Sequence, residues 1–326
     1  MRLIEQSEFP LLRTPFNPGR PDLTGYVPPP SRARKGEPAE WPPADGVPLV
    51  TVVGTVRDQL VAFERSWAVW ARQRPTPGAT VEYLVLDDGS SDGVRDRVLG
   101  LQDAGHPVAW ASYRGPAVPG ERSCTLLFNS AVRQGLVRSP LVMFQWWDRI
   151  PGSFRHLDLL LRPHRHAVGL VTSAVSRHVG GSSSVESMRP EELAAVLDLV
   201  DWRSDPTRLA RVAGPIGGHC RPGLSSESSG FVMRVDEFVA LGGYDERYTA
   251  RHGYVNVELW RRILESGQRV LVVPEPHGAN YHQSHPTDRR KPGYGHLGDR
   301  LVCRNRGVDW GRLEPVDHEP VPRRER

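Results

Sequence analysis

The chain has 326 residues, of which 38% are hydrophobic and 25% charged, a composition typical of a globular protein with one large domain or two smaller ones. Its net charge is only +4 and its arginines are scattered, which argues against a dedicated nucleic-acid binder, and its three widely spaced cysteines argue against a disulfide framework or a zinc cluster. No apolar run is long enough to cross a bilayer and the N-terminus lacks a signal-peptide pattern, so we expect a cytoplasmic protein.

Strand and helix patterns alternate through the first half of the chain. Residues 1–46 are rich in proline and have no period, which predicts an extended or irregular N-terminal extension. From there, strand patterns at 48–56, 81–86, 107–114 and 140–148 are separated by helical patterns at 59–73, 95–105 and 123–137. This order predicts an α/β fold with a mostly parallel central sheet flanked by helices.

The second half of the chain is more mixed. It has strand patterns at 167–175 and 269–276, an amphipathic helix pattern at 189–202 that begins with a proline, and another helix pattern at 255–268. The tail again lacks any period. We therefore predict one domain over residues 47–300, followed by a C-terminal tail over residues 301–326.

Polar side chains follow three of the predicted strands. Thr55 and Arg57 stand at the end of the first strand, Asp87 and Asp88 at the end of the second, and Asp148 at the end of the fourth. Ligands of open parallel sheets bind at the carboxyl ends of the strands. The sequence therefore predicts a ligand site where these residues converge, with a histidine-rich segment, "PEPHGANYHQSH", following the last strand.

The turn "DDGSSDG" after the second strand has two interpretations. Ser91 and Asp92 are accounted for as a helix cap and turn. Two consecutive acids at the end of an apolar strand are costly without a partner, and Asp87 and Asp88 therefore favour a functional role. The chain has neither GxxxxGK[ST] nor GxGxxG at this position, which disfavours those two kinds of phosphate-binding loop.

Four segments in this order resemble family 2 glycosyltransferases with a GT-A fold. They are "VPLVTVVGTVRDQ", "VEYLVLDDGSSDG", "CTLLFNSAVRQGLVRSPLVMFQWWDRIPG" and "FVALGGYDERYTARHGYVNVELWRRILESGQRVLVVP". The resemblance covers about residues 47–285. It implies transfer of a sugar from a nucleotide-diphosphate-sugar donor to an acceptor. The transfer would be assisted by Mg²⁺ or Mn²⁺ and would follow an inverting mechanism.

The resemblance also implies roles for individual residues. It places Thr55, Arg57, Asp87, Asp88 and Asn129 around the nucleotide. It assigns the metal to two further side chains, Asp148 and a histidine after the last strand, for which His282 is the first choice and His285 the second.

Two motifs depart from the pattern of the family. The Asp-x-Asp metal motif reads Trp146-Trp147-Asp148, so only its second acid is present. The Glu-Asp pair that holds the catalytic base reads Val255-Asn256, and the amide of Asn256 cannot accept a proton at neutral pH. The nearest carboxylate in the sequence is Glu258.

Several alternatives remain open at the level of sequence. Glu227 is a second candidate for the missing base. The lost acids motivate a second hypothesis, a catalytically impaired relative that binds a nucleotide or glycan and regulates or scaffolds. A nucleotidyltransferase is a third and weaker one, because "VVGTVRDQ" lacks a glycine-rich phosphate loop. Natural products, polysaccharide, protein and modified DNA all remain possible acceptors, and the oligomeric state is open.

Overall fold

The chain forms two β-sheets, with helices packed on both faces of the larger one. The computed structural model describes residues 2–4, 47–113, 126–180, 189–215, 230–244, 256, 259–260, 262–263, 266–283 and 317–319. None of the helices in these ranges is long and apolar enough to cross a membrane.

The elements of the first half are, in chain order, β1 (Arg2–Ile4), β2 (Val50–Val56), α1 (Leu60–Trp70), β3 (Val81–Asp87), α2 (Val94–Asp103), β4 (Val108–Ser112), α3 (Leu126–Arg133), β5 (Leu141–Trp146), β6 (Arg149–Pro151) and α4 (His156–Leu161). Those of the second half are β7 (Leu170–Ser173), β8 (Val175–Val179), α5 (Pro190–Asp198), β9 (Ala213–Pro215), β10 (Phe231–Arg234), α6 (Val235–Ala240), β11 (Arg269–Val272), β12 (Ala279–His282) and β13 (Asp317–Glu319). Two 3₁₀ helices cover Arg162–Arg165 and Pro206–Arg211, and residues 256, 259, 260, 262 and 263 are also helical.

The main sheet has nine strands in the order β1-β11-β7-β10-β5-β2-β3-β4-β13. Strands β2, β3, β4, β5, β7 and β11 run in one direction, whereas β10 is antiparallel to both of its neighbours and β1 and β13 are antiparallel strands at the two edges. The predicted α/β fold with a mostly parallel sheet and flanking helices is therefore confirmed.

Alternating side chains of the main sheet divide the core into two clusters. Val52 and Met143 pack on one face with α1, α2 and α4, and Val53 and Phe144 pack on the other face with α3 and α6. Each face is apolar because a parallel strand covered by helices on both sides is buried on both sides. This explains why β2 and β5 have continuous apolar sequences rather than alternating ones.

The second sheet contains β6, β12, β8 and β9, in that order. β12 pairs with β6 in antiparallel and with β8 in parallel orientation, so that Arg149, His282 and His178 face one another across three strands. The sequence did not predict this sheet, because strands of three to five residues carry too short a pattern to be recognised.

The two terminal segments contribute more structure than their composition predicted. Residues 2–4, in the segment predicted to be extended or irregular, pair with β11, and residues 317–319 of the tail pair with β4. Both edges of the main sheet are thus covered by antiparallel strands. The amphipathic helix predicted over 189–202 begins with the proline as expected but ends at Asp198.

Gly54 is required by the close approach of a tryptophan ring. A Cβ atom at Gly54 would lie 2.6 Å from Nε1 of Trp147, whereas a Cβ atom at Gly100 in α2 would meet nothing within 4 Å. We expect Gly54→Ala to lower the free energy of unfolding by about 1–3 kcal/mol through overpacking. The matched variant Gly100→Ala should raise it by about 0.5–1 kcal/mol, because alanine favours a helix. Urea denaturation of both variants measures the two changes in the free energy of unfolding. Equal changes would show that the Trp147 ring does not pack against Gly54.

Candidate functional site

The carboxyl ends of β2 and β3 bring together the side chains that the sequence predicted there. Arg57 Nη1 lies 3.4 Å from Oδ2 of Asp88, and the Asp88 side chain is buried whereas Arg57 is about one-third exposed, at 32%. Thr55, in strand β2 two residues before Arg57, is 2% exposed. The arrangement offers a buried carboxylate, a partly exposed guanidinium and a hydroxyl within one edge of the sheet.

Asp87 has partners within the fold. Its Oδ1 accepts a hydrogen bond from the Ser90 backbone N–H at 2.9 Å, and its Oδ2 accepts one from the Ser112 hydroxyl at 3.3 Å. Burial raises the pKa of Asp87, partly offset by these hydrogen bonds, and the neighbouring charge of Asp88 raises it further. Asp87 therefore shapes the turn after β3, and a ligand would have to share its oxygens with those partners.

The serines of "DDGSSDG" join the two loops at this edge. The Asp58 carboxylate accepts a hydrogen bond from the Ser91 backbone N–H at 2.7 Å, and the Ser90 hydroxyl accepts one from the Asp58 backbone N–H at 3.0 Å. Asp58 adopts a left-handed φ of 47°, a conformation that aspartate tolerates better than most residues. The loops after β2 and β3 are thereby held as one unit.

The cap predicted at Asp92 is present, and it extends to a second helix. The N-cap position of α2 is occupied by Gly93, which has no side chain to bond the helix. Asp92 Oδ2 accepts a hydrogen bond at 2.6 Å from the backbone N–H of Leu60, the first residue of α1. Asp92 therefore satisfies the start of the preceding helix. Asp92 Oδ1 also accepts a hydrogen bond at 3.3 Å from the backbone N–H of Val94, the first residue of α2, so the carboxylate serves the starts of both helices.

Asp148 lies in the turn between the two sheets. The strand predicted to continue to residue 148 ends at Trp146, and β6 begins at Arg149. Asp148 Oδ2 is 3.0 Å from His282 Nε2, and Asp148 Oδ1 is 3.3 Å from Arg149 Nε. Asp148 and Arg149 are both 3% exposed. Two residues that are 134 positions apart and were predicted as metal ligands are thus brought together.

The second sheet holds this group in place. His282 stands opposite Arg149 on one side and His178 on the other, and the rings of His178 and His282 are in contact, with centroids 4.5 Å apart and planes tilted by 37°. The Arg149 guanidinium donates a hydrogen bond to the Ser176 hydroxyl at 2.9 Å. The backbone carbonyl of Asp148 accepts hydrogen bonds from the backbone and side chain of Gln283. The carboxylate therefore has a fixed position.

The Asp148–His282 pair is compatible with a divalent cation. Adjacent ligand atoms around an octahedral ion with bonds of about 2.1 Å are about 3 Å apart, and Asp148 Oδ2 and His282 Nε2 are 3.0 Å apart. No group of three or more His, Cys, Asp or Glu side chains suited to a metal occurs among the described residues. Any ion here would take its remaining ligands from water and from phosphate oxygens, as Mg²⁺ and its relatives commonly do.

Asn129 does not present a free side chain to a nucleotide. Its Nδ2 donates a hydrogen bond to the Tyr244 carbonyl at 2.7 Å, its Oδ1 accepts one from the Tyr244 N–H at 2.8 Å, and it is 1% exposed. Gly243, with φ of 69°, has no room for a Cβ atom because the Asn129 amide occupies that space. The Asn129 amide therefore fastens α3 to the segment after α6, and its nucleotide-binding role stays a prediction.

The candidate bases are only partly within the described residues. Asn256 is helical and partly exposed. Glu258, Glu227 and His285 lie outside the residues whose side chains the structure describes. Their assignments stay predictions. Arg149 and His178 were not predicted from the sequence. The only signal for Arg149 was its place next to the predicted metal ligand Asp148, and His178 lies on a strand that was not recognised.

No protein-family model matches the chain, and no curated protein matches it. Similar solved structures include the mannosyltransferase PcManGT from Pyrobaculum calidifontis in complex with GDP-Man and Mn²⁺, at 15% identity over 82% of this chain and 64% of that one, with a TM-score of 0.47. They also include GalNAc-T7 with UDP, GalNAc and Mn²⁺, at 12% identity over 74% and 45% of the two chains and a TM-score of 0.49. A third is S. aureus TarS 1-349, at 12% identity over 72% and 60% and a TM-score of 0.45.

The chain spans between 45% and 64% of the lengths of these three solved chains. It is similar to them in fold, at TM-scores between 0.45 and 0.49.

Proposed function

We propose that the chain is a metal-assisted glycosyltransferase that moves a sugar from a nucleotide-diphosphate-sugar donor to the hydroxyl or amine of an acceptor. The observation that carries the proposal is the meeting of Asp148 and His282 at 3.0 Å, beside the strand ends that hold Thr55, Arg57 and Asp88. This meeting supports a cation site at the carboxylate–imidazole pair, next to a nucleotide site at the strand ends.

The nucleotide end would use three polar groups. The buried Asp88 carboxylate accepts hydrogen bonds from N–H or O–H groups, and Arg57, one-third exposed, can turn from Asp88 towards an anionic phosphate. Thr55 supplies a hydroxyl between them and the turn that carries Asp148. We leave Asn129 out of this set because its amide is bonded to Tyr244.

The diphosphate end would use Asp148, His282 and Arg149. Asp148 and His282 would hold Mg²⁺ or Mn²⁺, with Mn²⁺ favoured because Mg²⁺ prefers oxygen ligands alone. When bound, the cation would stabilise the negative charge that develops on the departing diphosphate. Arg149 fixes the orientation of the Asp148 carboxylate and adds a buried positive charge to the same region.

Proton removal from the acceptor is the least defined part of the reaction. Asn256 stands where the resemblance expects the base and cannot take a proton. We propose Glu258 as the replacement and Glu227 as the second candidate, with inverting chemistry. A catalytically impaired relative that only binds nucleotide or glycan is the alternative, and it is favoured by the amide at Asn256 and by the contact of Asp148 with Arg149.

The first test is calorimetric titration with UDP and GDP in the presence and absence of Mn²⁺, followed by hydrolysis assays with a broad panel of UDP- and GDP-sugars. We expect one nucleotide to bind at least about tenfold more tightly with Mn²⁺, and its sugar donor to be hydrolysed slowly. Tight binding with no hydrolysis or transfer from any donor would favour the binding-only alternative. Absence of any binding would refute both proposals.

A further inference from the structure

Two buried polar atoms at the ligand edge of the main sheet have no partner. The Thr55 hydroxyl oxygen and the Trp146 indole nitrogen are both inaccessible to solvent, and neither has a hydrogen-bond partner among the described residues. Such groups are rare in folded proteins, because each loses its hydrogen bonds to water without replacing them. The indole nitrogens of Trp70, Trp110 and Trp147 also lack partners within the described part of the chain, but those side chains are enclosed in the core, whereas Trp146 is partly exposed at the ligand edge, where a bound molecule can reach the pair.

The two side chains are neighbours on the same face of the sheet. Thr55 of β2 is paired with Trp146 of β5. They lie two residues beyond Val53 and Phe144, a pair on the same face of the sheet that packs in the core. Side chains in register on adjacent strands project to the same side. Trp146 is partly exposed, so the pair lies where the buried core gives way to the carboxyl edge of the sheet.

The chemistry of the pair limits what it can bind. An indole N–H only donates, whereas a threonine hydroxyl donates or accepts. Neither group carries a charge. The charged side chains at this edge already pair with each other, Asp88 with Arg57 and Asp148 with Arg149. An uncharged oxygen that accepts from the indole and bonds the threonine hydroxyl would satisfy both.

We propose that Thr55 and Trp146 together bind an uncharged oxygen in the nucleoside part of the donor, either a ribose hydroxyl or a base carbonyl. This inference rests on the proposed function. It gives Trp146 a role in binding the donor, in the position where the resemblance expects an acid.

Two variants with two matched controls test the proposal. Trp146→Phe and Thr55→Val should each weaken the binding of the preferred nucleoside diphosphate by about tenfold, the loss of roughly one hydrogen bond to ligand. Trp110→Phe removes another buried indole N–H without a partner, on the opposite face of the sheet. Thr51→Val removes a hydroxyl of the same strand that bonds Ser139 at 2.8 Å. Neither control should change nucleotide affinity.

The stability of the free protein gives a second readout. Thr55→Val replaces an unpaired hydroxyl with a methyl group and should raise the melting temperature by about 1–3 °C, whereas Thr51→Val breaks a bond and should lower it. A lower melting temperature for Thr55→Val would mean that the hydroxyl is bonded within the fold, and would overturn the inference.

Deoxynucleotides and pyrophosphate identify the bound oxygen. If it belongs to ribose, a 2′- or 3′-deoxynucleoside diphosphate will bind the wild type and Trp146→Phe equally; if it belongs to the base, both deoxy forms will keep the tenfold difference. An equal weakening of inorganic pyrophosphate binding would show a phosphate contact and overturn the inference. Unchanged affinity in Trp146→Phe and Thr55→Val would also overturn it. Failure of the wild type to bind any nucleotide would instead refute the proposed function.

Discussion

Replacing Asp148 with asparagine is expected to lower donor turnover in Mn²⁺ by about 100-fold or more. The amide is a poorer ligand for a hard cation and carries no charge, while its shape preserves the turn between the two sheets. Because His282 would remain as a single protein ligand, the concentration of Mn²⁺ needed for half-maximal activity should also rise by about tenfold. Steady-state rates measured over a range of Mn²⁺ concentrations give both values.

Loss of stability could imitate loss of the metal site, because Arg149 is buried beside Asp148. Asp158→Asn provides the matched control. Asp158 is also 3% exposed and is paired with Arg155 and Arg162, but it lies in α4. This variant should lose a comparable amount of stability and keep its dependence on Mn²⁺. Equal Mn²⁺ dependence in wild type and Asp148→Asn would show that the Asp148–His282 pair is only a structural ion pair.

The same group of residues shows how far the sequence could predict the site. Asp88 and Asp148 were predictable because a polar residue after an apolar run marks the end of a buried strand, and those ends share one edge in a parallel sheet. His282 could be selected only through the resemblance. Its position depends on the pairing of β12 with β6, which joins residues far apart in sequence and has no local pattern.

Trp146 and Asn129 illustrate two different limits. Trp146 continues an apolar strand, as a core residue would, and its indole N–H has no partner among the residues that the structure describes, which is equally true of the buried Trp70 and Trp147. Its partial exposure at the edge of the sheet is what distinguishes it from them, and that follows from the fold rather than from the local sequence. Asn129 was assigned to the nucleotide by position in a motif, yet an amide inside a helix can equally bond a distant backbone. The partner, Tyr244, is 115 residues away and could not be found from spacing.

Replacing Asn129 with alanine is expected to lower the free energy of unfolding by about 3 kcal/mol while leaving nucleotide affinity unchanged. The substitution removes the two hydrogen bonds that Asn129 makes to the N–H and the carbonyl of Tyr244 in a fully buried environment, and each such bond contributes about 0.5–1.5 kcal/mol. It also leaves space beside Gly243 that the backbone cannot fill. Urea denaturation and calorimetry with the preferred nucleotide, both below the melting temperature of the variant, measure the two effects.

Gln134→Ala is the control for a change of amide to methyl near the same helix, since Gln134 follows α3 and is exposed. It should change the free energy of unfolding by less than about 0.5 kcal/mol. Asn129→Asp separates the two bonds, because a carboxylate still accepts from the Tyr244 N–H but cannot donate to the Tyr244 carbonyl. If Asn129→Ala instead keeps its stability and loses nucleotide binding, the amide contacts the ligand after all, and the segment around Tyr244 must move to release it.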